Sequence, residues 1–525
     1  MLKKIRRILA VLSFVAITLL FLDFTGTLHH WLGWMAKIQF LPAVLALNFV
    51  IVAVLLVITF IFGRVYCSVI CPLGVMQDLI SWIHGKRKKN RFSYSKEVKW
   101  LRYAMLLIFI VAIALGVGSL VALLDPYSTY GLIVTNLLQP LYAWCNNALA
   151  MIAEHYDSYL FYSTDVWMKG AVSLAIATAL LVIIAILAWR GGRTYCNTFC
   201  PVGTVLSLVS RFSILKIHID GDRCVKCGMC TRNCKSSCID YKNGTVDHSR
   251  CVTCGNCIEK CHKDAIYYGR PRNGGGEDRV ESTEYRVEST EGRVQSGEGK
   301  VESGENSQAV DKGKRAFLIG SGIAVATAAM AQAKKKVDGG LAAIEEKQMP
   351  ERKNPITPPG SVSARNMQQH CVACQLCVAE CPNQVLHPSN DLLTFMQPVM
   401  SYERGYCRPE CNRCSQVCPA GAIKPITVEQ KSATKIGTAV WTHFLCVPTR
   451  DKDEEGNAIA CGNCARHCPT GAITMIQLDE NDENSPMVPS INEAKCIGCG
   501  ACEHVCPSRP VSAIHVEGLE DHRMV

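Results

Sequence analysis

Charge is missing from long parts of this chain. Ile8 to Leu22, Leu41 to Gly63, Ala104 to Leu124 and Gly170 to Trp189 contain no Asp, Glu, Lys or Arg. Roughly 20 such residues are needed for a helix to cross a bilayer, so three runs are long enough and the first is a little short. The absence excludes a fully water-exposed role for them. The same runs hold no histidine, which excludes a histidine-ligated haem within them. Motifs for nucleotide or flavin binding are also lacking. Two connecting stretches, Asp23 to Phe40 and Asp125 to Lys169, have only Lys37 and Lys169 as basic residues.

Basic residues are plentiful elsewhere. Lys3, Lys4, Arg6 and Arg7 precede the first run, "GKRKKNR" with Lys96, Lys99 and Arg102 lies between the second and third, and "RGGR" ends the fourth. The positive-inside rule makes these faces cytoplasmic. The net charge of +10 is therefore read as topology, and no nucleic-acid partner is expected. The flank "MLKKIRR" would suit a signal peptide, but no small-residue cleavage site precedes Asp23, so a retained helix is expected. With 525 residues, 49% of them hydrophobic, there is room for several domains and a membrane part.

The phrase "YCSVICPLG" at Tyr66 to Gly74 returns as "YCNTFCPVG" at Tyr195 to Gly203. A shift of 129 residues also lays Gly63, Arg64, Leu79 and Ser81 on Gly192, Arg193, Leu208 and Ser210. The repeat unit is two helices plus a CxxxCP motif, emerging on the basic side. Cys67, Cys71, Cys196 and Cys200 are candidate redox thiols, which a pseudo-twofold arrangement would gather. One reading has each motif end a span and pack a turn; the other makes the four thiols a redox or metal site. A stable disulfide is disfavoured in a reducing compartment.

The 30 cysteines otherwise follow one grammar. Cys224, Cys227, Cys230 and Cys234 have CxxCxxCxxxC spacing, repeated by Cys251, Cys254, Cys257 and Cys261. In bacterial ferredoxins three cysteines of a run hold one [4Fe-4S] cluster and the fourth reaches the other. Predicted ligand sets are thus Cys224, Cys227, Cys230 and Cys261 for one cluster, and Cys251, Cys254, Cys257 and Cys234 for the next. Zinc ribbons use paired CxxC units with a long gap instead. Lys235 and His262 stand where ferredoxins place proline, and Cys238 rivals Cys234, which keeps the spacing.

Four seven-residue repeats from Arg279 to about residue 306 recur only in Val as apolar residue, so 271–312 reads as a solvated linker rather than a coiled coil. "KRAFL" then opens the uncharged run Ala316 to Ala333 and resembles a twin-arginine export signal with lysine first. Segment 313–336 is expected to be a signal or fifth crossing, which would put 337–525 outside the cytoplasm. That part repeats the cysteine grammar four times. Exchange of fourth cysteines predicts Cys371, Cys374, Cys377 and Cys418; Cys407, Cys411, Cys414 and Cys381; Cys446, Cys461, Cys464 and Cys506; and Cys496, Cys499, Cys502 and Cys468. Six clusters use 24 cysteines through iron ligation; Cys145, alone in a loop, is read as incidental.

The expected fold is an α-helical membrane bundle of four helices as two repeated pairs (1–212), a fifth crossing, and α+β bacterial-ferredoxin-type domains at 213–270 and 337–525. Residues to about 270 resemble NapH, the membrane subunit of the periplasmic nitrate reductase electron-supply system, through four helices, two CxxxCP motifs and two clusters. From about Lys314 the chain resembles NapG, its exported four-cluster partner, as if the two were fused. Methylamine-utilisation ferredoxins and the membrane half of the nitrous-oxide reductase donor resemble the same parts. The resemblance implies an inner-membrane quinol dehydrogenase, with quinol as substrate and the membrane quinol pool, the lipid bilayer and an extracytoplasmic reductase, or its cytochrome c or small subunit, as partners. The alternative is a membrane polyferredoxin supplying electrons for maturation of another metalloenzyme or a copper centre.

Overall fold

The computed structural model describes residues 2–23, 26–87, 92–158, 161–164, 166–270 and 345–525, apart from 453, 454, 456, 480, 483 and 484. The chain divides into two units, Met1–Pro271 with Lys347–Val525, and Arg272–Glu346. The heptad linker and the 313–336 segment fall outside the described residues, so the following concerns the first unit.

Among the described residues, two helices are long and apolar enough to cross a membrane, Lys3–Leu22 and Ala171–Gly191. Their outward faces are apolar too: Ile8 and Leu12 are each 61% exposed. Surfaces of that kind need an apolar surrounding. The other two predicted spans are not continuous. Leu41 to Gly63 breaks at Leu47, whose φ is 54°, and restarts as Phe49–Phe62, where Asn48 caps the new helix by accepting from Ile51 N at 3.3 Å. Ala104 to Leu124 breaks at Gly116, with φ of 70°. Lys99–Ala114 ends there and Gly118–Leu124 begins in a new direction. Hydropathy cannot see such breaks, because the interrupting residues are uncharged.

The redirected segment makes a helical hairpin. Gly118–Leu124 is its first arm and Pro126–Ile133 its second. Asp125 forms the tip, accepting from Ser128 N at 2.8 Å and Ser128 Oγ at 2.9 Å, with proline at the first helical position. A π-helical stretch, Val134–Leu138, leads into the helix Gln139–His155.

The cysteine-rich parts are small antiparallel ribbons with one-turn helices. Lys216–Ile219 pairs with Ile266–Gly269 in the first module. In the second, Leu386–Pro388 pairs with Pro398–Met400, Ile473–Gln477 with Met487–Ile491, and Thr434–Trp441 with the long C-terminal strand Ile514–Met524. The third cysteine of every run opens a short helix, as Cys230 does in Met229–Arg232 and Cys502 in Ala501–Val505.

These modules meet opposite ends of the first helix. At its start, Lys3 pairs with Glu259 of the first module. Just beyond its end, Gly26 lies so close to Glu380 of the second that an added Cβ would stand 2.6 Å from Glu380 Oε1. At 1.5 Å per residue the Leu2–Leu22 helix is about 30 Å long, the thickness of a hydrocarbon core.

Candidate functional site

The two CxxxCP motifs are locked together by a crossed pair of arginines. Arg64, before the first motif, donates from Nη2 to the Cys196 carbonyl oxygen at 3.2 Å. Arg193, before the second, donates from Nη1 to the Cys67 carbonyl oxygen at 2.5 Å. The glycines that follow repeat the symmetry. A Cβ on Gly74 would stand 2.3 Å from Cys67 O, and one on Gly203 would stand 2.4 Å from Cys196 O. The sequence repeat contained these four residues, but only the fold reveals that each arginine serves the other copy while each glycine makes room within its own.

This geometry brings Cys67, Cys71, Cys196 and Cys200 into one buried group, none more than 4% exposed and all within electrostatic reach of one another. Gln77 Nε2 donates to Cys196 Sγ at 3.4 Å, and Gly203 N to Cys200 Sγ at 3.3 Å. Among the described residues, no three His, Cys, Asp or Glu side chains are placed to hold a single metal ion. One zinc ion would need its thiolates about 2.3 Å from the metal.

Asp78 joins this group to the first module. Its carboxylate meets Arg193 Nε at 3.0 Å, Lys235 Nζ at 3.4 Å and Arg6 Nη1 at 3.4 Å. Burial opposes the charge, but Arg193, then Lys235 and Arg6, hold the carboxyl well below its usual range. Lys235, where ferredoxins place proline, thus supplies a cation to Asp78 that proline would lack, and its carbonyl oxygen accepts from Arg193 N at 2.9 Å. The Cys254 thiol lies within reach of the same Asp78 charge.

The predicted ligand sets are gathered as follows. One cavity is lined by Cys224, Cys227, Cys230 and Cys261, another by Cys381, Cys407, Cys411 and Cys414, and a third by Cys446, Cys461, Cys464 and Cys506. The first two each take one thiol from outside their close-spaced run, and the third takes two, Cys446 and Cys506. For the rest, Cys257 is within reach of Cys254, Cys251 and Cys234; Cys377 of Cys371, Cys374 and Cys418; and Cys499 of Cys468 and Cys496, with Cys502 beside them. Cys234 and Cys238 sit 3.5 Å apart. Cys238 and the backbone N–H groups of Cys238, Ser236 and Ser237 hold the Cys234 thiol low, while Cys238 is pushed up. Cys238 lies beside Cys251 as well, while Cys234 keeps the ferredoxin spacing.

The loops share a backbone form. Gly228, Gly255, Gln375 and Gly500, each following the second cysteine of its close-spaced group, and Gly462, following Cys461, have positive φ, as do Ser237, Asp264, Gln384, Gly421 and Gly471, three places beyond a fourth cysteine. Left-handed residues among right-handed ones turn successive N–H groups inward, the concavity that suits an anionic cluster. The donor sets thus fit iron–sulfur clusters.

The hairpin connects the thiol group with the second module. Cβ atoms at Gly118 and Gly131, one on each arm, would stand 2.3 Å from Gln397 Nε2 and 2.3 Å from Cys374 O. At the other extreme, Tyr195 donates its hydroxyl to Leu124 O at 3.2 Å. The Asp125 charge reaches Tyr66 and Tyr195 of both motifs on one side, and Cys374 on the other. Tyr127 is buried beside Cys374 and Cys418. Sequence reasoning missed Asp125 and the hairpin, because their segment looked like a span followed by a loop.

Comparison with known proteins agrees with this chemistry. A family model described as a 4Fe-4S binding domain matches residues 44–90 and 172–219, so that each match contains one CxxxCP motif. One described as a 4Fe-4S dicluster domain matches 459–509. An Escherichia coli K12 protein named for electron transport, YccM, is 25% identical over 202 residues, covering 37% of this chain and 48% of that protein. The methylamine utilization ferredoxin-type protein MauN of Methylobacillus flagellatus is 22% identical over 174 residues, covering 33% and 48%. MauM of the same organism is 31% identical over 97 residues, covering 18% and 41%. The chain spans about half the length of the first curated relatives it matches. No solved structure matches. The chain carries 4Fe-4S ferredoxin-type domains and is similar to iron–sulfur electron-transport proteins.

Proposed function

We propose that this chain is a membrane-bound quinol dehydrogenase component that relays electrons through six [4Fe-4S] clusters to an extracytoplasmic reductase, periplasmic nitrate reductase being the first candidate. When bound, such clusters accept and release one electron each. The observation that carries the reading is the hairpin, which touches the second module with both arms and the CxxxCP group with its tip. It supports an unbroken series from the first module, through Asp78 and the four thiols, to Cys374.

The residues divide the work. Arg64 and Arg193 hold the two motifs in register, and Asp78 ties them to the loop that follows Cys234. Within the second module Cys407 N donates to Cys499 O at 2.9 Å, so the proposed ligand set of Cys381, Cys407, Cys411 and Cys414 adjoins that of Cys496, Cys499 and Cys502. Attachment of the modules to opposite ends of a membrane-length helix supports a cytoplasmic first module and an extracytoplasmic second one.

The similarity to MauN and MauM favours a second reading, in which the electrons serve the maturation of another metalloenzyme. Quinol separates the two. Anaerobic protein in liposomes, mixed with a soluble quinol, should lose its cluster absorbance near 400 nm. Clusters that respond to dithionite but never to quinol would overturn the dehydrogenase reading.

A further inference from the structure

A cavity of about 360 Å³ opens where the first helix ends, between the helix Gln139–His155, the segment leading to Lys169 and the turn Val378 to Gln384. Its walls include Leu22, Ala143, Trp167 and Val378, and Cys381 lines its far side. Beside Gln139 and Lys169, the polar lining includes Tyr142, Tyr162, Thr164, Glu380 and Gln384. Lys169 Nζ donates to Gln139 Oε1 at 2.7 Å, and Gln139 Nε2 to Ala379 O at 3.3 Å. Apolar walls interrupted by fixed polar groups are the ordinary form of a site for an organic ligand that carries polar atoms on a flat ring.

The helix beside it says where that ligand comes from. Gln139–His155 exposes Leu141 at 52%, Trp144 at 44%, Leu149 at 48% and Ile152 at 52%. An amphipathic helix with such a face lies in a membrane interface, and aromatic rings favour that depth. The cavity is therefore reached from lipid. Cys381 belongs to one proposed ligand set, while Cys377 of a neighbouring set is, like Cys381, within electrostatic reach of Lys169.

We infer that this cavity binds the headgroup of a lipid quinol, and that Gln139 and Lys169 position its ring oxygens. The inference rests on the quinol dehydrogenase reading and adds the site. The quinol loses two electrons and two protons to become a quinone. The cluster that Cys381, Cys407, Cys411 and Cys414 would hold and the one that Cys371, Cys374, Cys377 and Cys418 would hold would each take one of these electrons. Both protons pass to water through the open side of the cavity. Two one-electron acceptors at one site suit a two-electron donor, since neither has to turn over before the second electron leaves.

The test uses the full chain in liposomes and a photoreactive azidoquinone. Labelled peptides should map to 139–143, 162–169 or 378–384; label recovered only elsewhere would overturn the site. Ala143→Trp fills the cavity and should cut labelling and quinol-driven cluster bleaching at least tenfold, while iron content and dithionite bleaching stay at the parental level. Parental-rate quinol bleaching in that variant would overturn the site but leave the dehydrogenase reading standing. If the parental protein itself gave no quinol bleaching, the dehydrogenase reading would fall first.

Discussion

Tyr195 donates its hydroxyl to the carbonyl oxygen of Leu124 at 3.2 Å, tying the second CxxxCP motif to the hairpin tip. At the other extreme, Gly131 packs against Cys374 O with no room for a side chain. Gly131→Ala should therefore push the hairpin from the second module. Overpacking of this kind costs about 1–3 kcal/mol. The thermal midpoint of the anaerobically loaded protein should fall, and a midpoint equal to the parental one would show that the contact bears no weight.

Asp78 is the one acidic partner shared by Arg6, Arg193 and Lys235. Asp78→Asn keeps the shape but leaves buried cations without their counter-charge. Removing one partner of a buried ion group costs about 3–5 kcal/mol. Limited proteolysis between the first module and the motifs should become much faster, and Asp78→Glu should recover part of the protection.

The C-terminal strand carries a pH-dependent clip. His522 Nε2 and Thr357 Oγ1 are 3.0 Å apart, and burial pushes the imidazole down to about 4, with Asp521 opposing. The unfolded chain binds this proton near 6.5 and the folded chain near 4, so the contribution is complete above pH 6.5 and is lost as pH falls towards 4. After screening it is at most about 3 kcal/mol. Thermal melts of parental protein and His522→Gln between pH 7 and 4 should differ in slope, with the variant flatter. Parallel slopes would remove His522 as the cause.

Metal analysis tests the ligand grammar. If the six proposed sets are filled, the chain carries about 24 iron, and a cluster on the CxxxCP thiols would bring it to about 28. Cys234→Ala should lose about four iron, whereas Cys238→Ala should lose none. The opposite pattern would exchange their roles, and stoichiometric zinc would discard the cluster reading.

Much of the chemistry was legible because cysteine spacing is local. A CxxCxxC run fixes which thiols can share a loop, whatever lies far away, and the cavities in the second module collect the thiols that this grammar names. The helices were harder. The runs holding Asn48 and Gly116 are as apolar as those of unbroken helices, and only the caps and turns in three dimensions split them. Asp78 and Glu380 carry no local pattern; their meaning comes from partners tens or hundreds of positions away, whereas Asp125 shows a local cap with Pro126 and Ser128 but its neighbours Tyr66, Tyr195 and Cys374 are distant in sequence. Lys235 was visible as an oddity, yet its use depends on Arg193 and Asp78 being carried to it.

The central claim is a continuous relay between the two modules through the CxxxCP thiols. Its most direct measurement is sidedness: full-length protein in sealed, oriented vesicles, a membrane-impermeant reductant on the first-module side only, and cluster reduction followed by low-temperature EPR. In the parental protein the clusters of both modules should become reduced. In the Cys67→Ser, Cys196→Ser double variant, at parental abundance, only those of the first module should. Reduction of both modules at the parental rate in the double variant would contradict the relay.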